Sequence, residues 1–428
     1  MSATKRTFSI IAMLTIVSMI VTACATATAT PARQAPDQLD ATTEARSAAT
    51  AAAAPAGSFQ IPEIVPQHFN VAMILRGPHA DGSWSQSHYE GLKYIESHMP
   101  NTHVAYVENV PEGAGAEQVI RSLARKGFNL IFTTSFGYMD PTATVAEEFP
   151  NLTFINISGY KSNNKNFGNL YGAMEDMKYL AGMLAGARAK KDANPKVGYI
   201  ATFPIPEELR LGNAFALGMA KTCPECKLSV RWINTWYDPA IETGAATALF
   251  DTGVQVVFTG ADTAAPADVA QAQGKWGITY DYVGSRNNTA SLTTLSWNWG
   301  PIYTKIAMGV QDKTYKPGFD YFDADSGSLE LSGFMQGQQL TKGESDLPPD
   351  VIQLVKDTLA QMLAGKFTRF DVFSGEITDN TGKVVVPAGE KMQQSDLDQF
   401  PPGAPGLECQ YCMYWWNQNI AAELPKRP

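Results

Sequence analysis

From Phe69 onward the chain alternates short β-branched runs with amphipathic stretches, and it does so in two successive series. The first series reads VAMIL, a helix near Ser85 to Met99, HVAYVE, a helix near Ala116 to Lys126, LIFTTS, a helix near Thr142 to Phe149, and TFINIS. Repetition of this kind builds a parallel sheet with helices on both faces. Within the first helix His88, Gly91, Leu92, Ile95 and Met99 recur at spacings of three and four, so they share one buried face. Gly127 then supplies a helix stop. The series restarts after Tyr171 with a helix from Glu175 to Arg188, in which Leu180, Leu184 and Arg188 are in step. It continues through KVGYIA, a helix from Glu207 to Ala220, LSVRWIN, a helix from Asp238 to Asp251, VQVVFTG, a helix around Asp268, and GITYDYVG. The fold class is therefore α/β, as two doubly wound lobes. Ligands in open sheets of this kind sit beyond the carboxyl ends of the strands, so two facing lobes imply a cleft closed by hinge motion.

Before the first strand the chain carries Lys5 and Arg6, an apolar run from Phe8 to Val21, and small residues ahead of Cys24. That pattern is a signal peptide, expected over residues 1–23, too short and wrongly flanked for a stable membrane span. Val21-Thr22-Ala23-Cys24 resembles a bacterial lipobox, which makes Cys24 the expected lipidation site. Residues 24–66, rich in Ala, Thr and Pro, carry too little apolar surface to offset chain entropy and are expected to form a disordered tether. About 360 residues remain, a length suited to two domains. With 42 acidic against 33 basic residues and no Lys/Arg-rich run, the chain lacks the electrostatic footprint of a nucleic-acid binder, and none is expected as a partner.

Four further cysteines form two Cys-x-x-Cys pairs, Cys223/Cys226 and Cys409/Cys412. In an exported protein structural disulfides are the default. The spacing also fits a four-cysteine zinc site. Redox chemistry is disfavoured because the first pair follows a helix and precedes a strand, the reverse of a thioredoxin-type arrangement.

No G-x-S-x-G elbow, H-E-x-x-H motif or P-loop is present. Gly113-Ala114-Gly115 begins like a dinucleotide fingerprint, but Gln118 occupies the third glycine position, so a plain helix-entry turn is expected. His68, His79, His88, His98 and His103 are close in sequence yet spread over different faces and elements, and no metal site is expected. Aromatic residues just past strand ends stand out instead. Trp84 lies in ADGSWSQ, Phe136 and Tyr138 follow LIFTTS, Trp236 and Tyr237 follow the strand ending at Asn234, and Asp262 follows VVFTG. Flat apolar faces with a few carboxylates suit a planar heteroaromatic ligand that donates hydrogen bonds.

At these loops the chain resembles a known family. The blocks ADGSWSQSHYEG, YVENVPEGAGAEQVIRSLARKG, LIFTTSFGYMDPT, NLYGAMEDMKYLAGMLAG, FPIPEELRLGNAFALGM, WINTWYDPAIETGAATALFDTG and GADTAAP, in that order and spacing, are similar to the basic membrane protein (BMP) family. The likeness covers roughly Asn70 to Asp281, with Asn380 to Val384 resembling the family's tail. It implies a type I periplasmic-binding fold that delivers a purine base or nucleoside to an ABC permease and its ATPase, needs no cofactor, works as a monomer and is held by lipid on the extracytoplasmic face of the membrane. The implied lobes are residues 67–173 with 292–325 and residues 174–291 with 326–428. By motif, Trp84 and Trp236 would sandwich the base, and Ser85 and Asp262 would meet its polar edges. Asp81, Phe136, Tyr138 and Asp281 complete the expected ligand-binding set. Where many nucleoside-binding relatives carry an acidic residue, this chain has Thr279, which tilts the expectation toward a free, adenine-like base. A surface nucleoside hydrolase using Asp81 and Asp281 is the enzymatic alternative, and a sensor presenting its closed form to a membrane receptor is a third reading.

Overall fold

The computed structural model describes residues 59–286, 289–398 and 409–424. The expected signal peptide, Cys24 and the tether up to residue 58 lie outside the described residues. The tether's last stretch departs from expectation: Phe59, Ile61 and Ile64 pack on the first-lobe core, and the Asn70 Oδ1 accepts the Val65 N–H at 2.8 Å. These few large side chains bury enough surface to order the segment.

The first sheet contains β1 (Phe69–Ile74), β2 (Thr102–Val107), β3 (Leu130–Thr133), β4 (Thr153–Ile157) and β5 (Phe167–Gly172). The helices α1 (Trp84–His98), α2 (Ala114–Lys126) and α3 (Met139–Glu148) connect its early strands. His88, Gly91, Leu92 and Ile95 of α1 are buried, with Met99 just past its end. Gly127 closes α2 at φ 96°, a left-handed conformation open to glycine without steric cost.

The chain then enters the second lobe through α4 (Met174–Lys191), followed by β6 (Lys196–Ala201), α5 (Pro206–Thr222), β7 (Lys227–Trp232), α6 (Pro239–Asp251), β8 (Val256–Thr259), α7 (Ala265–Gln273), β9 (Trp276–Asp281) and β10 (Ser291–Trp297). It returns for α8 (Trp299–Gln311) and β11 (Phe319–Phe322), then crosses again to β12 (Leu329–Leu331) and α9 (Pro349–Leu363). Strand order is β11-β5-β4-β3-β1-β2 in one sheet and β12-β10-β9-β8-β6-β7 in the other. All neighbours are parallel except β12, which runs antiparallel to β10. Two doubly wound lobes joined by three crossings are the type I arrangement. Residues 292–297 belong to the second sheet, not to the first lobe as expected, because β10 bonds to both β9 and β12.

Helix α4 is buried almost from end to end, Met174 through Ala189, between its own sheet and its neighbours. It packs on α5 through glycines. A Cβ on Gly182 would lie 2.1 Å from the Phe215 carbonyl oxygen, and one on Gly218 would lie 1.9 Å from that of Tyr179. The cysteines close as Cys223–Cys226 and Cys409–Cys412, so each pair is a local disulfide and neither serves zinc. Among the described residues no helix is long and apolar enough to cross a membrane.

Candidate functional site

In the first lobe β1 lies between β3 and β2, and in the second β6 lies between β8 and β7. Both are positions where the winding reverses, which opens a crevice beyond the strand ends. The two crevices face each other and share one cavity, the placement expected of a small-molecule site. Arg76, Trp84, Ser135, Phe136 and Ser158 line the cavity from the first lobe, and Glu207, Trp236, Gly260, Asp262, Tyr280 and Asp281 from the second.

Trp84 is the first residue of α1, not a loop residue. Its indole Nε1 donates to the Thr134 carbonyl at 2.8 Å, and its ring makes edge contacts with His88, Trp297 and Trp299. The ring is thereby fixed before any ligand arrives. Trp236 follows β7 and touches Phe203 with ring centres 5.2 Å apart, while its carbonyl accepts the Asp262 N–H at 2.9 Å. That bond ties the two second-lobe loops together.

The carboxyls form a buried set. Asp281 ends β9 with φ 69°, accepts from Trp297 Nε1 at 2.9 Å and from the Ser83 hydroxyl, across the cleft, at 3.3 Å. Asp262 and Asp281 also hydrogen-bond to each other, which requires a proton on one of them. Burial pushes Asp281 up to about 7, opposed by the bonds from Trp297 and Asp262, and holds Asp262 well above the usual carboxylate range. Glu207 is likewise pushed up to about 7 by burial, against the pull of Arg210, and accepts a hydrogen bond from the Tyr171 hydroxyl. Behind Tyr280 the Lys178 Nζ sits 3.7 Å from the ring centre and donates to the Thr259 carbonyl at 2.8 Å. Burial lowers it to about 8.

The structure thus brings Trp84, Phe136, Trp236, Asp262 and Asp281 to one cavity. Three expected residues are placed differently. Tyr138 is buried in the first-lobe core, its hydroxyl donating to the Val110 carbonyl at 2.5 Å, because the 3₁₀ turn after β3 rotates it inward. Asp81 caps α1: its carboxylate accepts the N–H groups of Ser83 at 2.8 Å and of Ser85 and Gln86 at 3.0 Å. Ser85 is buried, lines only the adjoining outer pocket with Asp81 and Tyr237, and accepts the Gly77 N–H at 3.0 Å. Thr279 faces the sheet interior, 2.6 Å from the Thr294 hydroxyl. Its lack of charge therefore carries no information about the cleft, where Asp281, two residues on, supplies the carboxylate. Sequence reasoning misses Arg76, Ser135, Ser158, Glu207, Gly260 and Tyr280. Arg76 has a usable signal, being the first polar residue after VAMIL.

The other motifs are structural. Gly113 sits at the N-cap of α2 with φ 80°, a plain turn. His88 is buried, within 2.6 Å of the Tyr303 hydroxyl and stacked on Trp299, and burial lowers its pKa well below the usual value. Among the described residues no group of three or more His, Cys, Asp or Glu could hold a metal ion.

Comparison with known proteins identifies the family and the fold. The model of the Bmp family, described as "ABC transporter substrate-binding protein PnrA-like", matches residues 68–354. A purine-binding protein of Brucella abortus is 33% identical over 334 residues, covering 77% of this chain and 90% of the relative. A putative ABC transporter glucose-binding protein of Haloferax volcanii is 28% identical over 339 residues, 79% of this chain and 80% of that one. Among solved structures, a solute-binding protein of Aeropyrum pernix superposes with a TM-score of 0.58 at 17% identity, covering 70% of this chain and 92% of that chain, a likeness of fold.

Proposed function

The chain belongs to the Bmp family of ABC-transporter substrate-binding proteins, and on that premise we propose that it captures a purine base or nucleoside outside the cytoplasm, closes over it, and hands it to a permease and its ATPase. The observation that carries this reading is the pairing of Trp84 and Trp236 with the Asp262–Asp281 carboxyl pair in one interlobe cavity. Two indoles offer faces for a planar ring, and carboxyls accept from ring N–H, amino or ribose hydroxyl donors. The Brucella relative is a purine-binding protein by name, which supports the same ligand class. Cys24 is the proposed lipid anchor, its acyl chains holding the protein at the membrane through their buried methylenes.

Hydrolase chemistry finds little support in the site. Asp81, one of the two acids it would need, is committed to capping α1, and the Brucella and Haloferax relatives are binding proteins by name. A sugar is the second ligand reading, favoured by the name of the Haloferax relative. Calorimetric titration of the purified protein with adenine, hypoxanthine, adenosine, inosine and glucose separates the two. Saturable binding of a purine with no heat from glucose is expected, and the opposite result would overturn the purine assignment.

A further inference from the structure

Of the charged side chains that line the cavity, three are partnered. Asp281 is held by Trp297 and Ser83, Asp262 by Asp281, and Glu207 by Tyr171. The fourth, Arg76, makes no hydrogen bond or ion pair with any described residue; its charge acts on Asp262 through space only, and it lines both the cavity and the adjoining outer pocket. It stands two residues past β1, the strand at which the first sheet reverses its winding. A guanidinium has five donors and no acceptor. Closing the cleft over a ligand strips water from it, and a charge desolvated without hydrogen bonds is costly. The ligand itself must therefore bring acceptors.

The shape of the guanidinium limits which acceptors fit. Its planar fork matches two acceptors side by side. A phosphate or carboxylate would satisfy it, but Asp262, Asp281 and Glu207 surround the same space, and all three would have to stay protonated beside an anionic ligand. A neutral pair of acceptors on the rim of a planar ring meets both demands. In purines the edge bearing the six-membered ring's exocyclic group and the imidazole nitrogen is such a pair only when that group is a carbonyl. With an amino group the same edge pairs one acceptor with one donor, and the donor would be forced against the guanidinium. The ring N–H of a 6-oxopurine lies on the other side of the carbonyl from the imidazole nitrogen, where the Asp262–Asp281 pair can accept it.

We propose that Arg76 is a specificity-determining residue, taking the carbonyl oxygen and the neighbouring ring nitrogen of a 6-oxopurine such as hypoxanthine or guanine in a two-pronged hydrogen bond. This rests on the purine reading above and narrows it to the oxo class, away from the adenine-like ligand expected from the sequence.

The test is calorimetry on the wild-type protein, Arg76→Met and Arg76→Lys, each titrated with hypoxanthine, adenine and inosine 5′-monophosphate as an anionic probe. Wild type should bind hypoxanthine at least about tenfold more tightly than adenine, in line with what one good bidentate pair contributes to discrimination. Arg76→Met should bring the two bases to within about threefold of each other, chiefly by weakening hypoxanthine. Arg76→Lys keeps the charge without the fork and should also lose most of the preference, which a merely structural arginine would not show. Thermal melting without ligand, expected to be nearly unchanged, verifies that each variant is folded. Adenine binding as tightly as hypoxanthine in wild type would overturn the assignment while leaving the purine reading intact. A preference that survives in Arg76→Met would do the same. The nucleotide binding most tightly would replace the oxo edge with a phosphate as the partner of Arg76. No purine binding at all would bring down both this inference and the function on which it rests.

Discussion

Among the residues of the cleft, the two tryptophans differ in what else they hold. Trp236 touches Phe203 and otherwise faces the cavity from a loop, so Trp236→Ala should weaken ligand binding by about 1 to 3 kcal/mol, the range for base stacking on an aromatic ring. Its melting temperature without ligand should hardly move. Trp84 is different, because its indole N–H is bonded and its ring makes T-shaped contacts with His88, Trp297 and Trp299. The sequence places Trp84 in a loop, where its loss would leave the fold nearly untouched; the structure predicts that Trp84→Ala lowers both affinity and stability, with Trp84→Phe restoring part of each. Titration and melting of all three variants check the contrast, and equal destabilisation by the two alanine variants would contradict it.

The carboxyl pair sets a pH dependence at the same scale. Asp281 is raised to about 7 in the folded protein from an ordinary 3.8. A raised acid favours folding most when it is protonated, so its contribution is full below about pH 4 and is lost as pH rises through 7, at up to about 1.4 kcal/mol for each pH unit. Unfolding measured at pH 5 and pH 8 should therefore show wild type losing more stability with rising pH than Asp281→Asn, whose amide cannot ionise. Equal losses would mean that the group is not buried as described. The two aspartates end different strand units and no spacing rule links such ends, so their coupling is invisible in the chain; Asp81 and Asp281 read there as isolated acids.

At the scale of elements, amphipathic stretches are legible in the sequence and fully buried ones are not. The stripe His88, Gly91, Leu92, Ile95, Met99 identifies a helix face correctly because α1 has one wet side. Helix α4 has none: Arg188, in step with Leu180 and Leu184, is buried, and so are Glu175, Asp176 and Lys178, which that stripe leaves out. Several of their partners come from distant segments: Glu175 meets Arg210, Lys178 donates to the Thr259 carbonyl, and Arg188 reaches Asp346 besides Asp192, its neighbour four residues on. Periodicity cannot name such partners. It also fails at β10, a strand hidden by its position after the expected crossover. The α4–α5 contact gives a direct test. Gly218→Ala gains about 1 kcal/mol of helix propensity but drives a methyl into the Tyr179 carbonyl, 1.9 Å away, and overpacking costs about 1 to 3 kcal/mol or more. Net destabilisation is expected. Gly244, exposed in α6 with nothing within 4 Å of where an added methyl would sit, should instead be stabilised by up to about 1 kcal/mol on change to alanine. Denaturant unfolding of both variants decides it, and a stabilised Gly218→Ala would show that the helices can separate.

For the whole molecule, the double series of strands and helices makes the two-lobe α/β fold readable, while the cleft is readable only where aromatic residues mark the strand ends. Glu207 draws no attention without a flat ring, and Arg76 is marked only as the first polar residue after VAMIL. Membrane attachment through Cys24 belongs to this scale as well: Cys24→Ser should move the protein from the membrane fraction to the soluble one, and retention after a high-salt wash would contradict lipid anchoring. The central claim, that the interlobe cavity is built for a purine, is tested most directly by mass spectrometry of the small molecules released when protein purified from its own cells is denatured. A purine base or nucleoside should be recovered from wild type and largely lost from Trp236→Ala. A hexose recovered in its place, with no purine from either protein, would contradict the account.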